Sequence, residues 1–512
     1  MRDKEVGIRV ILADVLWFVP VYFVLLLRWG YIFGSGDQVE VLPYVAKLHD
    51  YNLFSKDLFV NQLASQAFNQ RWGTAQLIAF FGDFMQVGVY LLFIVCLYFL
   101  VTGLRRLWAE VIASDKVHPI FEFFFVVIVL LLSQGWSPGG NDLYSESFIP
   151  DSVATPLVVW GLLYYKRSRF LLASVLIGAA TFFQPLLGFQ VFVIMWLSGL
   201  YVQREWLISI KQFIIFIVSG GWLFCVLLLA MFTGAGEPVM NDYFDVYFVF
   251  RAPHHFLPSA FLTYKSAAFL ILWLVAIFGL YREHKSLSIF LLVSLIGCVF
   301  YVVMVEGFSS GLVASTQWFK TTQWVKLFGI LSVFSLIKPW LVKLSRSIPM
   351  WIGSVISLGS IAGILILMVL PGTHPLQKRN DLVQSPINME LYDYVKNQTD
   401  IGACFVVPLE NSDFKIGASR SVFVDFKSVD PKKSFVKEWK RRIELVYGSI
   451  EGDKGFEFGP TADNHYQSLE KADFELLAAE GVTHVLYKRE RMHPSLDEVF
   501  SSESYYVYEL KK

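Results

Sequence analysis

The sequence predicts an α-helical polytopic membrane protein with a small C-terminal α/β domain. Three observations carry that reading. The chain is 55% hydrophobic and only 17% charged, with a mean hydropathy of +0.52, whereas a soluble domain carries about a quarter charged residues. Most of the first 372 residues fall into apolar runs of the roughly 20 residues that cross a bilayer. After about residue 373 the long runs stop and charged residues become frequent. The expected division is a transmembrane domain over 1–372, with a long first outer loop at 31–75, and an extracytoplasmic α/β domain over 373–512.

Taken in order, the apolar runs predict about eleven spans, at 10–30, 77–103, 119–135, 150–165, 169–183, 185–201, 208–232, 265–281, 286–305, 325–343 and 349–370. The stretch from Phe170 to Leu200 is too long for one helix. Gln184-Pro185 divides it, because proline lacks an amide hydrogen and disfavours helix at the residue before it. The first run follows a basic start, has no small-x-small cleavage site after it, and reads as a retained signal-anchor.

Basic residues set the orientation. Arg2, Lys4 and Arg9 precede the first span, Arg105, Arg106 and Lys116 follow the second, and Lys166, Arg167 and Arg169 follow the fourth. Arg204, Lys211, Arg282, Lys285, Lys338, Lys343 and Arg346 fall on the same side if Gln184 separates two helices. The positive-inside rule then predicts a cytoplasmic N-terminus, with the first loop and the C-terminal domain outward.

The C-terminal region alternates short β-branched and aromatic runs (CFVVPL, SVFVDF, THVLYK, YYVYEL) with helical stretches that end at glycine. That pattern predicts an α/β domain of about 135 residues. It holds no glycine-rich phosphate loop. Cys96, Cys225 and Cys298 lie in apolar spans and Cys404 stands alone, so neither a disulfide framework nor a thiolate zinc site is expected. A formal net charge of zero leaves no nucleic-acid footprint.

The most informative stretch is Gly36 to Gly73, GDQVEVLPYVAKLHDYNLFSKDLFVNQLASQAFNQRWG. It is long for a connection between helices. It carries Asp37, Glu40, Asp50 and Asp57 amid apolar residues at helical spacing. Asp37 and Glu40 stand three apart, on one face of a helix. Each acid also has a plainer role open to it, since Asp is a favoured N-cap residue for both Asp37 and Asp57.

Gly36-Asp37-Gln38, Glu40, Leu42-Pro43 and the later Arg251-Ala252-Pro253-His254-His255 together resemble the GT-C superfamily of integral-membrane glycosyltransferases. The likeness is to bacterial members with GDQxExLP and RAPHH-type loops. In architecture it covers the whole chain; in motif it covers two loops. Asp-x-x-Glu departs from the Asp-x-Asp that many members carry, which bears on a divalent cation at Asp37/Glu40. The resemblance implies an inverting transferase in a bacterial inner (plasma) membrane. Its donor is a polyprenyl-phosphate-linked sugar, and its acceptor is an extracytoplasmic lipid, polysaccharide or protein. No other cofactor is implied.

On that reading Asp37 and Glu40 are the catalytic carboxylates, and two close carboxylates can raise the pKa of one towards the working range. Arg251 offers a planar fork for phosphate, with His254 and His255 as further donors. Asp57, Asp142 and Lys320 are further substrate-binding candidates, with Asn141 and Glu146 beside Asp142. The plainer alternatives are lipid snorkelling for Arg251, an aromatic-belt position for Lys320 and a solvated turn around Asp142. His254-His255 is a poor metal motif, because adjacent helical residues point apart, and no metal ligand is assigned. Two other classes stay open: a transporter, which would need ionisable residues in mid-span where only Asp14 and Asp83 come near, and a non-catalytic scaffold for envelope glycan assembly.

Overall fold

The computed structural model describes residues 2–112, 116–132, 137–140, 142–232, 240–349, 351–369 and 386–511. Two compact units emerge. A helical unit takes Met1–Tyr31, Val89–Val226 and Leu257–Lys378, and a mixed unit takes Ile32–Gly88, Leu227–Phe256 and Arg379–Lys512. The first loop is thus grouped with the C-terminal region, not with the helices that flank it in sequence. The expected boundary near 373 and Asn141 lie outside the described residues.

The helical unit makes the chain a multi-pass membrane protein, with fewer full-length spans than eleven. Among the described residues five helices are long and apolar enough to cross: Gly82–Ile112, Pro185–Val202, Trp206–Leu229, Tyr264–Tyr281 and Lys285–Gly307. A sixth arises if Gly311–Leu336 and Lys338–Ser345 count as one span bent by 62°. Pro339 sits in the first turn after that bend, where its missing amide costs no hydrogen bond. Two of the expected spans are short. Pro119–Leu131 has 13 residues and Phe170–Phe183 has 14, about 20 Å at 1.5 Å per residue against a hydrocarbon core of roughly 30 Å.

Gln184 does divide its run. Its backbone is extended (φ −133°, ψ 91°), between helices Phe170–Phe183 and Pro185–Gln203. A Cβ on Gly188 would lie 2.2 Å from Thr181 Oγ1, so the two helices meet where glycine leaves room. Along helix Met85–Ile112, Leu91, Val95 and Phe99 are about half exposed at four-residue spacing. Such a stripe needs lipid against it. Asp14 is buried by pairing. Its carboxylate accepts from Arg105 Nη1 at 2.6 Å and Arg106 Nη2 at 2.8 Å, while Arg105 Nε reaches Glu122 at 2.5 Å. Ionisable groups within apolar helices persist when matched to one another, and these tie three helices together.

In the mixed unit, five strands form one sheet in the order β2-β1-β3-β5-β4. They are β1 (Cys404–Val406), β2 (Ser421–Val422), β3 (His484–Tyr487), β4 (Leu496–Ser501) and β5 (Tyr506–Leu510). β2, β1 and β3 run parallel, and β5 and β4 complete the sheet antiparallel. Phe405, Val407, Leu486 and Val507 pack against Leu391, Val395 and Phe414 as its core. Helix Lys433–Tyr447 stops at Gly448, whose φ of 86° suits a residue without a Cβ.

Candidate functional site

The site is built from the first loop upward. Gly34 and Gly36 both take positive φ (83° and 62°), which turns the chain sharply before helix Gln38–His49. Gln38 caps that turn by accepting from Gly34 N at 2.6 Å. Asp37, in the N-cap position, has helical backbone angles and makes no side-chain cap bond. Its carboxylate is therefore spent elsewhere.

Arg71 receives it. Nη1 of Arg71 lies 2.9 Å from Asp37 Oδ2, and Nε and Nη2 lie 2.8 and 2.6 Å from Glu40 Oε2. One guanidinium thus spans both carboxylates, which the three-residue spacing had put on one face. Arg71 is aimed by its own turn: its amide donates to Asn69 Oδ1 at 2.9 Å, and Asn69 Nδ2 donates to Leu63 O at 3.1 Å. The Glu40 side chain is only 6% exposed, while that of Asp37 is 29% exposed. Asp37 is the carboxylate open to an incoming group.

Arg251 joins this group from the segment Asp245–Arg251. Its guanidinium lies 6.0 Å from the ring of Tyr247. Burial pushes the Tyr247 hydroxyl up to about 12, and that group senses the charges of Arg251, Asp430, Glu40 and Arg71 together. Arg251 Nη2 also donates to Lys427 O, and Lys427 Nζ donates to Gly36 O. Gln66 Nε2 reaches Asp430 Oδ2 at 2.9 Å, and Tyr243 Oη reaches Pro431 O at 2.6 Å. Three stretches far apart in sequence meet here: the first loop, residues 243–251, and residues 427–431. The arrangement sets a partly open carboxylate beside cationic donors, which suits proton acceptance next to a bound anion.

The remaining candidates fall elsewhere. His254 stacks on Phe456 at 4.9 Å, and the His255 ring lies tilted to it at 4.2 Å. Burial, then the charge of Arg251, hold the His254 imidazole below its ordinary value. Asp57 is an N-cap: its Oδ1 accepts from Val60 N at 2.9 Å, its Oδ2 accepts from Val422 N at 3.3 Å, and it is 2% exposed. Its ion-pair partner is Lys415 at 3.8 Å, which sits closer to Asp425 at 2.6 Å. Burial raises the Asp57 carboxyl, whereas Asp425, equally buried, is held low by the direct Lys415 contact. This buried trio is a structural clamp and leaves Asp57 closed to substrate.

Asp142 and Lys320 belong to the helical unit. Asp142 lies 3.9 Å from Lys326 Nζ and lines a cavity of about 510 Å³ with Glu146, Asp151 and an apolar wall of Phe93, Leu97 and Leu100. Lys320 sits in the single turn Trp318–Thr321, its amide bonded to Gln317 O at 2.8 Å.

Arg71, Lys427 and Asp430 were not marked by the sequence. Arg71 stood in view in the loop sequence. Only the turn at Asn69 brings it back onto residues some thirty positions earlier. No group of three or more metal-ligating side chains occurs among the described residues. A divalent cation at Asp37 and Glu40 would have to displace the Arg71 guanidinium.

Residues 388–446 match the family described as a domain of unknown function (DUF6798). That match includes Lys415, Asp425, Lys427 and Asp430. A comparison with curated proteins finds no match.

Proposed function

We propose that the chain is a GT-C-type glycosyltransferase that moves a sugar from a polyprenyl-phosphate donor to an extracytoplasmic acceptor. The observation that carries the reading is the meeting of Asp37 and Glu40 with Arg71 and Arg251 on a membrane-anchored chain. Asp37 accepts the proton of the acceptor hydroxyl. That oxygen attacks the anomeric carbon as the bond from that carbon to the phosphate oxygen breaks. The electron pair leaves with the polyprenyl phosphate, whose charge Arg251 meets. The anomeric centre inverts, and no nucleotide is needed on the outer face. The N-terminus lies in the cytoplasm of a bacterial cell, and the mixed unit lies outside its plasma membrane.

One observation favours a second reading, a non-catalytic scaffold that holds a lipid-linked glycan. Asp37 is already paired with Arg71 at 2.9 Å, and an ion-paired carboxylate is a poorer base. Turnover separates the two. The purified protein in lipid, given polyprenyl-phosphate sugars and envelope acceptors, transfers sugar under the first reading. Under the second it binds the lipid without turnover.

A further inference from the structure

A second cleft in the mixed unit has no part in the chemistry above. It encloses about 480 Å³ between Ser55, Lys56, Asn61 and Gln62 of the first loop and Arg442 and Glu480 of the α/β region. What these groups have left over, after their own bonds, defines a ligand.

Lys56 Nζ gives one hydrogen bond, to Gly481 O at 3.0 Å, out of the three donors of an ammonium. Arg442 uses Nε on Glu438 at 2.7 Å and Nη1 on Phe423 O at 2.9 Å, and lies over the Phe423 ring at 4.5 Å, which leaves Nη2. Glu480 is met in bidentate fashion by Arg441, at 2.9 and 2.8 Å. Asn61 Nδ2 is bound to the carbonyls of Phe54, Ser55 and Asp57, which leaves its Oδ1 as an acceptor. The residual chemistry is two cationic donors among neutral amides and hydroxyls, with Leu58, Cys404 and Phe423 as an apolar side.

Peptide addition to the sheet is closed off at this edge. β2 is an edge strand, and the first loop already covers it: Lys56 N donates to Ser421 Oγ at 3.2 Å, and Val422 N donates to Asp57 Oδ2. Sugar hydroxyls, unlike the oxygens of a dianionic phosphate, can also donate to Glu480 in the lining. A single carboxylate on a hydroxyl-rich chain fits both donors and the neutral groups between them.

We infer that this cleft binds an acidic oligosaccharide, with the carboxylate between Lys56 and Arg442 and hydroxyls on Asn61, Gln62 and Ser55. The site stands apart from the transferase reading, because its readout is binding and needs no turnover. The test titrates full-length protein in lipid nanodiscs with trigalacturonate, its methyl ester and triglutamate. Trigalacturonate should bind, and the ester should bind about a hundredfold more weakly, about tenfold for each of the two charge-assisted hydrogen bonds it loses. Arg442→Gln and Lys56→Gln should each weaken the acid about tenfold and leave the ester unchanged. Gln62→Trp, which fills the cleft, should abolish binding with the melting temperature unaltered. Failure of both saccharides to bind overturns the inference. So does binding that survives Gln62→Trp, or triglutamate that binds as tightly as the sugar.

Discussion

Arg71 gives two of its donors to a single oxygen of Glu40, Nε at 2.8 Å and Nη2 at 2.6 Å. Its third contact is to Asp37, so one guanidinium pairs with both acids. Removing it takes the guanidinium from two carboxylates, one of them buried. Arg71→Ala should destabilise the mixed unit by about 3–5 kcal/mol, the range for breaking a buried pair. Arg71→Ala combined with Glu40→Gln should recover part of that loss, because the buried charge is then gone. Melting temperatures of the three variants check this. Equal losses in the single and double variants would mean that Glu40 is solvated without Arg71.

The same pairing shapes the catalytic prediction. Asp37→Asn keeps size and hydrogen-bonding capacity and removes the base, so transfer should fall by about 10²–10⁴-fold with the fold intact. Arg251→Ala should weaken donor binding, because the phosphate loses its forked partner. Initial rates against donor concentration distinguish the two. Wild-type turnover in Asp37→Asn would exclude the scaffold reading and move the base to Glu40, since Asp57 is a buried cap.

Lys415 holds Asp57 and Asp425 together in the core of the mixed unit. Lys415→Met should leave two buried carboxylates facing each other and cost about 3–5 kcal/mol. Asp57→Asn should be milder, since Asn also caps a helix and the ion pair it loses is the longer one. Protease resistance of the region after residue 386 reports both. A greater loss for Asp57→Asn than for Lys415→Met would show that the cap outweighs the charges.

How much of this was legible follows the range of each interaction. Asp37 and Glu40 were readable because three-residue spacing is a local rule. Arg251 was readable as a fork suited to anions. Arg71 was not, because its pairing depends on a turn at Asn69 that returns the chain across some thirty residues. The inner strands of the sheet are mostly apolar and aromatic, but β4 (Leu496–Ser501) carries adjacent Asp497 and Glu498 on a half-exposed edge and hides among loop residues. Hydropathy counted Pro119–Leu131 and Phe170–Phe183 as spans because it measures apolar content, while helix length is set by where caps and breaks fall. Asp57 as a cap was legible from Ser-Lys-Asp before an apolar run, though its Lys415 partner was not.

His254 gives the pH dependence. Its imidazole is held below the ordinary value by burial and by Arg251, so the folded state favours the neutral ring. The unfolded chain therefore binds more protons as pH falls past about 6.5. The stability contributed is full above that value and is lost as pH drops towards the depressed folded value. Wild-type protein should melt progressively lower from pH 7 towards pH 5. His254→Gln, which cannot charge, should show a shallower fall over the same interval. Parallel curves would place the acid sensitivity in other groups.

The helical unit offers a test independent of function. A Cβ on Gly178 would lie 2.7 Å from Phe216 O and 2.0 Å from Ser219 Oγ, and one on Gly220 would lie 2.2 Å from Gly178 O. Gly220 also holds a φ of 151°, which L side chains avoid. Two helices thus touch backbone to backbone at this glycine pair. In a membrane, where lipid is as apolar as leucine, such close packing is a main source of helix association. Gly178→Val should separate the helices and lower the yield of folded protein in detergent. Gly359→Val, in a helix where an added Cβ meets nothing within 4 Å, should leave the yield unchanged. Size-exclusion profiles of the two variants decide it. A monodisperse Gly178→Val peak at wild-type yield would mean that the crossing can open without loss.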